Sequence, residues 1–143
     1  MKQLAKILRL EFLPRSTDLG LLALRVWIGL SMLLLHGWDK FVNFDKYSEK
    51  FMGLFGLSPS MSLGLAVFAE AFCSVLLILG LFTRFAALNL IVTMYVAFFI
   101  AHKGVLKGEG SGEMAFICLA TYVTLFIAGP GKLSVDAKMG GKV

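Results

Sequence analysis

The sequence predicts an all-α fold: an integral membrane four-helix bundle with an amphipathic N-terminal helix and a short interfacial helix in the first outer loop. Two observations predict it. Of the 143 residues, 58% are hydrophobic and only 16% charged, and the mean hydropathy is +0.82. The apolar residues are also concentrated in four stretches, 19–38, 61–82, 85–101 and 114–129. A soluble domain of this size buries only part of its surface and cannot hide so much apolar area. A spanning helix needs about 20 apolar residues, with a range of roughly 17–25. The composition excludes a soluble globular enzyme, a disordered chain and a nucleic-acid module.

Each element has its own local signal. In segment 1–15, Leu4, Ile7, Leu8 and Phe12 alternate with Lys2, Lys6 and Arg9, the pattern of a helix lying on a membrane surface. These residues lack the apolar core and small-residue cleavage site of a secretory signal. Pro14 ends this helix, and Ser16 to Asp18 offer caps for the next. The spans are placed at about 18–41, 60–82, 84–102 and 112–129, in a single membrane domain 1–143 with a tail at 130–143. The first loop mixes Phe44, Tyr47, Phe51, Met52, Leu54 and Phe55 with charges, which suits an interfacial helix. Ser58-Pro59 opens the second span as cap and first helical residue. Phe82-Thr83-Arg84 is too short for anything but an antiparallel hairpin, and Gly129-Pro130-Gly131 stops the fourth helix.

Charge gives the orientation. Lys2, Lys6, Arg9, Arg15, Arg84, Lys132, Lys138 and Lys142 fall on one side of four crossings. Lys40, Lys46, Lys50, Lys103 and Lys107 fall on the other, offset by Asp39, Asp45, Glu49, Glu109 and Glu113. The positive-inside rule places both termini in the cytoplasm of a bacterial inner membrane. The net charge of +5 is then a topology and lipid-headgroup signal, and nucleic acid is not an expected partner.

Ionisable residues at membrane depth are rare and are functional candidates by default. Arg25 and Glu70 are the two, roughly 9 and 18 Å from the cytoplasmic end at 1.5 Å per residue, so an ion pair between them is within reach. Such a pair serves packing or a site equally well. Helical spacing puts Arg25, Gly29, Met32, His36 and Lys40 on one stripe, and Ala66, Glu70, Cys73 and Gly80 on another. A third stripe is Glu113, Ile117, Ala120 and Thr124, and Asn89 and Thr93 share a face. These small and polar faces are expected to point into the bundle. His36, His102 and Glu113 lie about 24–27 Å from the cytoplasmic side. A cavity open to the outer surface, with Glu70 at its floor, follows. Glu70 and His36 are the candidate proton donors, and Arg25, Glu113, Asn89 and Lys40 the candidate ligand-binding groups. His102, beside Lys103, reads as an ordinary helix-end residue. Two histidines near the surface do not suit haem, and their spacing with Glu113 is not a metal motif. Cys73 and Cys118 form no CxxC pair and read as small core residues. Gly29 and Gly37 allow close helix contact within one chain or in a homo-oligomer.

The order of these features resembles the DoxX family of small four-helix membrane proteins. The resemblance covers about residues 18–137 and runs through Leu24-Arg25, Gly29, His36-Gly37, Lys40-Phe41, Glu70, Gly80-Leu81 and Thr83-Arg84. It continues through Glu113, Gly129-Pro130-Gly131 and Leu133-Ser134-Val135-Asp136-Ala137. The family takes its name from a subunit linked to thiosulfate:quinone oxidoreductase, and other members belong to membrane complexes linked to oxidative and thiol stress. The resemblance implies a four-helix membrane bundle, and Arg25, His36, Glu70 and Glu113 match the family's polar positions. Taken with the polar residues at membrane depth, the first expectation is a membrane subunit of a redox complex that binds quinone or another small lipophilic molecule in a pocket lined by Arg25, His36, Glu70 and Glu113. No dinucleotide-binding turn or other redox cofactor motif is visible, so a protein partner is expected to supply electrons. The alternatives are a scaffold or assembly factor for a partner oxidoreductase and, less favoured, a small transporter.

Overall fold

The computed structural model describes residues 2–141, so Lys142 of the basic tail lies outside the described residues. Among the described residues every regular element is a helix: α1 (Lys2–Leu8), α2 (Thr17–Val42), α3 (Phe44–Ser48), α4 (Pro59–Leu79), α5 (Thr83–Ala101), α6 (Glu113–Ala128) and α7 (Val135–Lys138). Helices α2, α4 and α5, of 26, 21 and 19 residues, are long and apolar enough to cross a membrane. Helix α6 is apolar but has 16 residues. Large apolar side chains such as Trp27, Leu34, Phe72, Val92 and Ile127 stay exposed on the outside, as lipid contact requires. This is a multi-pass membrane protein.

Helix starts follow the sequence. The Ser16 hydroxyl accepts from Leu19 N at 3.2 Å, and the Ser58 hydroxyl accepts from Met61 N at 3.2 Å ahead of Pro59. Helix α1 stops at Leu8, well before Pro14. Leu10 turns into the left-handed region at φ 50, and Glu11 N reaches back to Lys6 O at 3.1 Å, a Schellman stop that the sequence reading missed.

Helix α2 packs on α4, α4 on α5 and α5 on α6, and α6 returns to α2. The core includes Met32, Cys73, Leu77, Leu90, Phe98, Tyr122 and Leu125, with alanines between. Between helices in lipid, close packing and interhelical hydrogen bonds supply the attraction. Two glycines permit it within the chain. A Cβ on Gly29 would lie 2.6 Å from Ile78, and one on Gly37 would lie 2.5 Å from the Glu70 carbonyl carbon. The α6 stripe is corrected: Glu113, Ile117, Ala120 and Thr124 face outward, while Ala115, Cys118, Tyr122 and Leu125 are buried. Thr124 satisfies its hydroxyl on its own helix by donating to Ala120 O at 2.9 Å, so it needs no interior partner.

At the end of the bundle that holds Ser16, the segment after α6 is tied down. Arg25 is fully buried and donates to Pro130 O and Leu133 O, each at 2.7 Å. The Asp18 carboxylate accepts from Lys132 N at 2.8 Å. The Asp136 carboxylate accepts from Phe82 N at 2.7 Å and Thr83 N at 2.9 Å, capping α5 from a distant part of the chain.

Candidate functional site

π-Helical turns interrupt α2 at Leu33–Gly37 and α4 at Phe68–Cys73, and end α5 at Val96–Ala101. Such turns are rare and occur frequently at functional sites. Here all three lie around one region in the half of the bundle away from Ser16. The turn in α2 meets the turn in α4, with Gly37 against the Glu70 backbone. The turn in α5 lines a cavity of about 450 Å³ through Val96, Ala97 and Ala101.

The cavity wall is mostly apolar. Helix α4 gives Ser62, Leu65, Ala66 and Glu70, and α5 adds Val92 and Thr93. The roof is the segment after α3, through Phe51, Met52, Leu54, Phe55 and Leu57. Leu54 N donates to the Ser62 hydroxyl at 3.0 Å. Leu57 N closes a tight turn onto Leu54 O at 2.8 Å, with Phe55 at φ 51 and Gly56 at φ 81. Two consecutive positive φ values mark a type I′-like turn. The short helix expected in this loop is Phe44–Ser48. The rest folds over the cavity.

Polar groups are few. Lys40 and Glu70 form an ion pair at the cavity wall, with the Lys40 side chain 23% exposed and Glu70 6%. Among the described residues it is the ion pair with a buried carboxylate; the other, Arg9–Glu11, is exposed. His102 borders the same cavity, and its Nδ1 lies 2.7 Å from Gly110 O. Beside the cavity, Asp39 accepts hydrogen bonds from Tyr47 Oη and from Asn43 Nδ2 (2.7 Å), fixing α3 against the end of α2. The bond to Asp39, then its charge, holds the Tyr47 phenol above its ordinary pKa.

The structure thus brings together Glu70, Lys40, Thr93 and His102. It separates the others. Arg25 does not pair with Glu70. Helical side chains lean toward the helix N-terminus, which carries Arg25 toward Ser16 and the carbonyls of residues 130 and 133. The same lean carries Lys40 down into the bundle, and Glu70, on an antiparallel helix, up to meet it. His36 is half-buried and lies within the π turn, but it does not line the cavity; its neighbour Gly37 makes the contact with Glu70. Asn89 donates to Phe85 O on its own helix at 2.9 Å. Glu113 is exposed at the start of α6, where a negative charge suits the helix dipole. Among the described residues no cluster of His, Cys, Asp and Glu could hold a metal ion. The chemistry available is a donor cation, a carboxylate acceptor and an imidazole around an apolar chamber.

Residues 20–103 match the DoxX family profile. The chain belongs to the DoxX family. The match spans α2 to α5 and so contains the Lys40–Glu70 pair, the roof and His102. Two relatives from Haemophilus influenzae (strain ATCC 51907 / DSM 11121 / KW20 / Rd) extend the similarity to a larger part of this DoxX protein. One is 34% identical over 115 residues, covering 75% of this chain and 81% of the relative. The other is 29% identical over 124 residues, covering 76% and 82%. Both are named only as uncharacterized proteins. No solved structure matches the chain.

Proposed function

We propose that this DoxX protein is the membrane subunit of a redox complex and holds a quinone or similar small lipophilic molecule in the cavity. One observation carries the reading: an apolar chamber of about 450 Å³ between apolar helices, with one partly buried ion pair in its wall. Ligand sites have this form, a largely apolar pocket of roughly 300–1,000 Å³ with a few convergent polar groups. Lys40 donates to a ligand oxygen, and Glu70 accepts or returns a proton. A protein partner supplies the electrons.

The protein sits in a bacterial inner membrane with both termini in the cytoplasm. Helix α6 makes the fourth crossing. Its 16 residues span about 24 Å, which a locally thinned bilayer and flanking residues accommodate.

The test is native mass spectrometry of gently extracted wild-type and Glu70→Gln protein. The expected result is a quinone-sized ligand retained by the wild type and lost from the variant. An empty wild type carrying a stoichiometric protein partner would overturn the reading in favour of a scaffold.

A further inference from the structure

Resting on that reading, we infer that His102 is the second polar end of the cavity, and that the site prefers the reduced, hydroquinone form of its ligand. A carbonyl oxygen can only accept, so the 2.7 Å contact of His102 Nδ1 with Gly110 O requires the proton on Nδ1. In the neutral ring, Nε2 then carries the lone pair. The Cβ and Cγ side of the residue packs on Gly112, where an added Cβ would lie 2.9 and 3.3 Å from them. Cβ, Cγ and Nδ1 are thus engaged, which leaves Cε1, Nε2 and Cδ2 as the free ring atoms of a residue that borders the cavity. His102 therefore presents an acceptor, not a donor. At the other end, Glu70 is bound through one carboxylate oxygen to Lys40, and its second oxygen also accepts. Lys40 retains N–H groups for any ligand oxygen.

This inventory discriminates between redox states. A quinone offers two acceptor oxygens, which Lys40 satisfies but His102 Nε2 and the free Glu70 oxygen do not. A hydroquinone offers two O–H donors, one for each of those acceptors, and its oxygens still accept from Lys40. Facing acceptors leave the oxidised ligand with unpaired polar groups, the condition under which polar sites discriminate most strongly.

The experiment uses the full chain in detergent micelles under anaerobic conditions, buffered at about pH 8, above the ordinary imidazole range. A decyl-chain benzoquinone and its dithionite-reduced hydroquinone are titrated calorimetrically into wild type, His102→Leu and His102→Gln. The wild type is expected to bind the hydroquinone about tenfold tighter, the scale of one buried hydrogen bond. That ratio corresponds to a rise of about 30 mV in the potential of the bound couple. His102→Leu loses most of the preference, and His102→Gln, which restores an acceptor oxygen, recovers part of it. Equal binding, or tighter binding of the quinone, overturns the inference and leaves the quinone reading standing. A preference that survives in His102→Leu overturns the role of His102. Binding of neither form by the wild type overturns both readings.

Discussion

Lys40 and Glu70 approach each other from helices of opposite direction, and neither choice of residue is replaceable by charge alone. Glu70 is 6% exposed and depends on the ammonium, whereas Lys40 at 23% retains a path to water. The two single removals should therefore differ. Lys40→Met leaves a buried carboxylate without its cation and should cost about 3 kcal/mol, the low end for breaking a buried pair. Glu70→Gln leaves a lysine that can extend toward solvent and should cost about 1 kcal/mol. Lys40→Met combined with Glu70→Gln should recover most of the loss, since a neutral pair carries no orphaned charge. Unfolding in detergent micelles measures all three. Equal losses for the two single variants would contradict the asymmetry. Gly37 is part of the same arrangement, because any Cβ there would strike the Glu70 backbone and push the two helices apart.

The helices themselves were legible in the sequence because apolar length and helix-start chemistry are local. Ser16 and Ser58 cap where they should, and Gly129-Pro130-Gly131 ends α6. The ion pair was half legible: the Lys40 stripe was visible, but matching Cα depths favoured Arg25, and only side-chain lean distinguishes the two. His36 was misplaced because it lies inside a π turn, where helical spacing does not fix the face, and such a turn leaves no composition signal. Outward-facing Thr124 misled the α6 face because its hydroxyl is satisfied within its own helix. The 130–138 strap was visible as a motif, but its bonds run over 105 residues from Arg25 to Pro130, a separation no local pattern reports. Its role has a consequence. Helix α5 starts after Phe82, a residue with no capping side chain, and Asp136 supplies the cap. Asp136→Ala should cost about 1–2 kcal/mol, as the loss of an N-cap does. It should also raise amide exchange at Phe82, Thr83 and Asp136, whose own N–H bonds Gly80 O at 2.9 Å. Arg25→Lys should loosen the strap too, because an ammonium cannot hold two carbonyls in the guanidinium's fork. Exchange mass spectrometry that shows protection unchanged in both variants would refute the strap.

The molecule as a whole has two chemically distinct ends. The strap ties residues 130–138 to Asp18, Arg25 and Gly80, so the start of α2, the α4–α5 turn and the region after α6 share one end. Arg9, Arg15, Arg84, Lys132 and Lys138 gather there. Arg84 also donates to Phe126 O at 3.1 Å and lies 4.9 Å from the Phe126 ring, joining α5 to the end of α6. The opposite end carries Lys103, Lys107 and Glu109, the Asp39–Tyr47 contact and the roof of the cavity. The proposed orientation, which rests on the positive-inside rule, puts the strap on the cytoplasmic side and the roof outside. The chain is suited to test this, because both native cysteines, Cys73 and Cys118, are buried and free. Reporter cysteines can be placed at exposed Lys6, Glu109 and Lys138. In intact spheroplasts a membrane-impermeant maleimide should modify Glu109→Cys and spare Lys6→Cys and Lys138→Cys, which react only after lysis. The wild type should stay unlabelled until it is unfolded. The reverse pattern would invert the orientation. Labelling of Lys138→Cys together with Glu109→Cys, with Lys6→Cys protected, would mean that α6 does not cross. That outcome would contradict the strap as well, since hydrogen bonds from Lys132 N to Asp18 and from Arg25 to Pro130 O cannot form across a bilayer.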